Sequence, residues 1–202
     1  MFRRKPKQTA HPTWMIVGLG NPGGEYDGTR HNVGFEVIKE LIVRHKIKKT
    51  ERRSQAHYAT HQIAGGEVAL VRPMTFMNLS GSAVAALARH FNIQPDKIII
   101  IYDDMDLSVG RVLLKPHGGT GSHNGMKDIA AKLRTNEFPR IRIGIGKPAI
   151  AGIDHVLQKF DRDEIPVIRD AIQRAADACE IAVSDGWDMA MNRTNLPGKS
   201  EE

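Results

Sequence analysis

Several things are scarce in this chain, and each scarcity excludes something. There is one cysteine, Cys179, in 202 residues. No internal disulfide can form, which suits a reducing compartment, and the fold must rest on its core. Cys179 lies in the alanine-rich, helically patterned "RAADACEIAV", where a buried structural thiol is expected rather than a reactive one. No apolar run approaches the roughly 20 residues that cross a bilayer. The opening "MFRRKPKQTAHPT" is basic but lacks the apolar stretch of an export signal. We therefore expect a cytoplasmic protein with no membrane partner. A G-x-S-x-G elbow and a P-loop are both missing, and there is no internal repeat or low-complexity segment.

What is present is ordinary in amount and uneven in placement. The 41% hydrophobic and 26% charged content suits a soluble domain, and a chain of this length buries roughly 70% of its unfolded surface without staples. The net charge is +6. Four of the cations (Arg3, Arg4, Lys5, Lys7) sit in the opening tail. Between Arg111 and Lys147 there are eight basic residues, opposed only by Asp128 and Glu137. Such a concentration points to an anionic partner, with nucleic acid first, against the plainer reading of a solvated surface.

Hydrophobic spacing predicts strands over 15–20, 57–63, 68–71, 97–104, 111–115 and 140–146. Gly65-Gly66 is expected as a hairpin turn. Helices are predicted over 31–45, 123–135, 162–183 and 187–193, 76–91 reads as a helix or a loop leading into one, and "KIKKTERRSQ" reads as a polar connection. The expected fold is α/β: a single domain with a twisted mixed β-sheet and helices on both faces. Its expected limits are a flexible basic tail over 1–13, the domain over 14–195, and a frayed end over 196–202.

After the first predicted strand comes Gly18-x-Gly20-x-x-Gly23, the letters of a dinucleotide-binding turn. That turn must open directly into a helix. Here Pro22, Gly23, Gly24, Asp27 and Gly28 prolong a loop instead. Glu40 has the spacing of a ribose-binding acid but falls inside a predicted helix. The glycines therefore read as backbone freedom, in a loop that gathers Asn21, Tyr26, Arg30 and His31.

Asn21 and Asp103 follow or end predicted strands, where open α/β sheets bind ligands. His31 and Asn124 lie near predicted helix starts, and Asn78 lies in "PMTFMNLSG". A histidine beside a carboxylate is a general base with a fixed tautomer, and asparagines can donate to an oxyanion. With no activated serine or cysteine, the base would act on water, which points to hydrolysis of an activated acyl bond such as an ester. Each residue also has a structural reading, as a cap or a surface group.

The blocks "GLGNPGGEYDGTRHNVGF", "RPMTFMNLSGSAV", "YDDMDL", "GSHNGMKDI" and "RIRIGIGKP", in this order, resemble the bacterial-type peptidyl-tRNA hydrolase family over about residues 14–195. The resemblance implies hydrolysis of the ester joining a peptide to the 3′ end of tRNA, on a single α/β domain and without metal or cofactor. It makes His31 the catalytic base and Asp103 its partner. Asn21 and Asn78 would hold the peptide end and the 3′ adenosine region, with Asn78 also in reach of His31. Asn124 would orient water or peptide backbone, Tyr26 would contact the tRNA terminus, and His123 would contact tRNA or the site. Lys115 and Arg142 would clamp the 5′ phosphate of tRNA. Some members carry a second lysine where this chain has Leu113. The implied partner is peptidyl-tRNA, not DNA, and the implied state is a monomer.

Two other functions fit parts of the pattern. An RNA-binding module would use the basic segment without needing His31 and Asp103. A metal-dependent hydrolase would use His31, His123 and the aspartates. His57 and His61 have zinc-like spacing, but in a strand they stand about 13 Å apart.

Overall fold

The computed structural model describes residues 11–148 and 154–195. Residues 1–10 of the tail expected over 1–13, and the end expected to fray over 196–202, lie outside the described residues. Thr13 already donates its backbone N–H to the Glu67 carbonyl at 2.8 Å.

Seven strands form one sheet: β1 (Trp14–Gly18), β2 (Glu51–Arg53), β3 (Ala56–Ile63), β4 (Gly66–Pro73), β5 (Ile98–Asp104), β6 (Val112–Lys115) and β7 (Arg140–Gly144). Their order is β2-β3-β4-β1-β5-β7-β6. The central strands β4, β1, β5 and β7 are parallel, while the β2–β3, β3–β4 and β6–β7 pairs are antiparallel. Continuous apolar runs such as "WMIVG" and "IIIIY" suit central strands covered on both faces.

The helices are α1 (Val33–Arg44), α2 (Ser80–Phe91), α3 (Asn124–Leu133), α4 (Asp154–Leu157), α5 (Glu164–Ser184) and α6 (Trp187–Thr194). Alternation along β1 and β5 feeds two cores. Ile16, Ile99 and Ile101 pack with Val37, Leu41 and Ala175 of α1 and α5. Met15, Val17, Ile98 and Ile100 pack with Val84, Leu87 and Ile129 of α2 and α3. This is the expected mixed sheet covered on both faces. Among the described residues no helix is long and apolar enough to cross a membrane.

Local differences from the sequence reading have local causes. The polar connection contains β2, a three-residue edge strand exposed throughout, so polarity did not exclude pairing. The hairpin turn is Ala64-Gly65, with φ of 49° and 85°. Ile63 pairs with Gly66, so Gly66 opens β4 instead of sitting in the turn, as a two-residue hairpin requires. His31 precedes the first α-helix in a short 3₁₀ turn, Arg30–Asn32.

One close approach positions the site. A Cβ on Gly18 would lie 2.0 Å from the Gly34 carbonyl oxygen, and one on Gly34 would lie 2.5 Å from those of Ile101 and the Leu19 nitrogen. Helix α1 therefore crosses β1 and β5 backbone to backbone. That contact sets the turn carrying His31 over the carboxyl ends of both strands, and it is what Gly18 is for.

Candidate active site

The loop between β1 and α1 is locked by an asparagine pair. Asn32 is buried. Its Oδ1 accepts from the Asn21 N–H at 2.8 Å, and its Nδ2 donates to the Asn21 carbonyl at 3.0 Å. Asn21 Oδ1 accepts from the Met77 N–H at 2.8 Å. That bond turns the carboxamide oxygen toward the Met77 N–H, and the Nδ2 end carries the N–H donors.

Asp103 stands at the end of β5 and is 3% exposed. One oxygen, Oδ1, meets two histidines, His31 Nδ1 at 2.8 Å and His123 Nε2 at 3.1 Å. Burial opposes its charge, but His123 and His31 outweigh burial and hold the carboxyl well below the usual carboxylate range. Because an ionised carboxylate only accepts, His31 must present Nδ1–H to it. The opposite nitrogen, Nε2, is then a lone pair able to take a proton.

His123 is the N-cap of α3, its Nδ1 accepting from the Met126 N–H at 3.2 Å. Asn124 follows as the first residue of that helix and is exposed. Asn78 lies beside Met77 in a 3₁₀ turn leading into α2, also exposed. No hydrogen bond joins it to His31; the bond from this turn into the site is made by the Met77 backbone. Tyr26 ends the 3₁₀ turn Gly24–Tyr26 and is half-buried.

Arg30 does not join this group. Its guanidinium turns to Glu164 at 3.0 and 2.6 Å and to the Ile145 carbonyl at 3.2 Å. It also stands 4.8 Å from the centre of the Phe160 ring. It fastens the His31 turn to the start of α5. Asn32 was missed by the sequence reading. It reads as the start of a helix, and only the closed loop reveals what its carboxamide does.

Lys115 and Arg142 lie on β6 and β7, on the far side of β5 from β1. Arg142 pairs with Leu113, and Lys115 with Arg140, so all four side chains share one face. Burial opposes the Arg142 charge, but Asp104, hydrogen-bonded at 2.5 Å, outweighs it and raises the guanidinium above its ordinary value. Arg140 is buried, and its two terminal nitrogens donate to the Gly119 and Asn136 carbonyls at 2.7 and 2.9 Å. It anchors the glycine loop ahead of α3, so not every cation in the basic segment is free for a ligand.

His31, Asp103 and His123 bring potential ligand atoms within 4.8 Å of one another. Their hydrogen bonds favour protons over a metal. A metal on His123 Nε2 would require a proton on Nδ1, where the Met126 N–H already points. The arrangement can instead take a proton from water at His31 Nε2.

A profile of the peptidyl-tRNA hydrolase family matches residues 15–202. A peptidyl-tRNA hydrolase of Syntrophomonas wolfei is 48% identical over 181 residues, covering 90% of this chain and 99% of that one. Another from Geobacillus thermodenitrificans is 46% identical over 183 residues, covering 90% and 98%. The crystal structure of peptidyl-tRNA hydrolase from Acinetobacter baumannii superposes with a TM-score of 0.86 at 36% identity, covering 93% and 97%.

Proposed function

This chain belongs to the peptidyl-tRNA hydrolase family, and from that premise we propose how it hydrolyses peptidyl-tRNA: by a water molecule that His31 activates. The observation that carries the reading is the 2.8 Å bond from His31 Nδ1 to the buried carboxylate of Asp103, which leaves Nε2 as the base.

Water attacks the ester carbonyl carbon while its proton passes to His31 Nε2. The imidazolium forms against Asp103, and the developing oxyanion takes the amide N–H of Asn21. The bond from carbon to the ribose oxygen then breaks, and the proton on His31 goes to that oxygen. The products are a free peptide acid and tRNA with its terminal hydroxyl restored. An ester needs no covalent enzyme intermediate for this.

Asn78, Asn124 and Tyr26 would hold the peptide and terminal nucleotide. Lys115 and Arg142 would take the 5′ phosphate, with Asp104 aiming the Arg142 guanidinium. The enzyme would act in the cytoplasm as a monomer.

The test compares N-acetyl-aminoacyl-tRNA with unblocked aminoacyl-tRNA, both with chelator present. Rapid cleavage of the blocked substrate alone is expected. Loss of activity with chelator, or equal cleavage of both, would contradict the reading.

A further inference from the structure

The mechanism uses one of the two histidines that meet Asp103. The other, His123, has both ring nitrogens committed. Nδ1 accepts from the Met126 N–H at 3.2 Å, so it carries no proton. Nε2, 3.1 Å from Asp103 Oδ1, must then be the protonated nitrogen and the donor. His31 presents the opposite tautomer to the same oxygen, through Nδ1–H at 2.8 Å. The two rings stand 5.2 Å apart, and Tyr102 meets His123 edge-on at 5.0 Å.

We propose that His123 is a positioning residue: it holds Asp103 Oδ1 toward His31 and so keeps the base in its Nδ1–H tautomer. The inference rests on His31 as the base. A carboxylate fixed by one donor can rotate about its last bond, whereas two converging donors on one oxygen fix its plane. The His123 donor is itself fixed by the first turn of α3. Helix α3, which begins at Asn124, is thereby coupled to the tautomer of His31 in the turn before α1. His123 then works through Asp103 and need not touch the substrate.

The test uses two variants of the full chain. His123→Ser keeps a helix-capping oxygen but is too short to reach Asp103. His123→Gln restores an amide donor near the place of Nε2. For His123→Ser, kcat on N-acetyl-aminoacyl-tRNA should fall about tenfold or more, the worth of one hydrogen bond to a charged group, with KM little changed. His123→Gln should recover most of the loss.

In ¹⁵N spectra of the free enzyme, wild-type His31 should show a protonated Nδ1 and a bare Nε2, with His123 the reverse. His123→Ser should mix the two tautomers of His31. A rise in KM with kcat retained would overturn the proposal and make His123 a substrate contact. An unchanged His31 tautomer in His123→Ser would also overturn it. Mixed tautomers with kcat unaffected would uphold the positioning and overturn His31 as the base.

Discussion

Residue identity sets direction at this site. Asn21 illustrates it, because its oxygen is turned to the Met77 N–H and its Nδ2 carries the donors assigned to the oxyanion. Asn21→Asp keeps an acceptor for Met77 and removes the donors. We expect kcat to drop by about 10²-fold, the scale of losing one oxyanion donor, with the circular dichroism spectrum unchanged. Retained kcat would remove Asn21 from oxyanion binding. The sequence placed Asn21, His31 and Asp103 at one end of the sheet by strand ends and helix starts alone. It could not show which oxygen of Asp103 is shared, nor that Arg30 points to Glu164. Those depend on side-chain directions set by partners 20, 72 and 134 positions away.

Elements determine which residues become neighbours. The apolar strands β1 and β5 and the periodic helices were legible because both faces or one face had to be buried. The edge strand β2 and the short α4 were not, since neither carries a burial pattern. The β6–β7 pair decides the phosphate clamp. Leu113 shares a face with Lys115 and sits opposite Arg142, so a lysine there would join both cations. Leu113→Lys should lower KM for full-length tRNA substrate a few-fold and steepen its salt dependence by about one released counterion. A minimal substrate without the tRNA body should not respond. An equal effect on both substrates would contradict a phosphate role for this face.

Across the whole molecule, side-chain bonds tie the turn carrying His31 to the start of α5 and to the end of β5. The Arg30 hydrogen bond holds Glu164 below the usual carboxylate range, and the two histidines do the same for Asp103. A depressed carboxyl binds fewer protons in the folded state than in the unfolded one. Its contribution is complete above the ordinary carboxylate range, near about pH 4 to 5, and is lost as pH falls through the folded value. Urea unfolding of Glu164→Gln should therefore show a shallower loss of stability between about pH 5 and 3 than wild type. Parallel curves would contradict a folded-state role for the Arg30–Glu164 pair.

The central claim is that one imidazole, held by Asp103, activates the water that cleaves the ester. Single-turnover cleavage of N-acetyl-aminoacyl-tRNA by His31→Ala tests it most directly, with tRNA binding and thermal unfolding followed in parallel. The account predicts a rate lower by about 10²- to 10⁴-fold with binding and folding retained. A rate within a few-fold of wild type would contradict it.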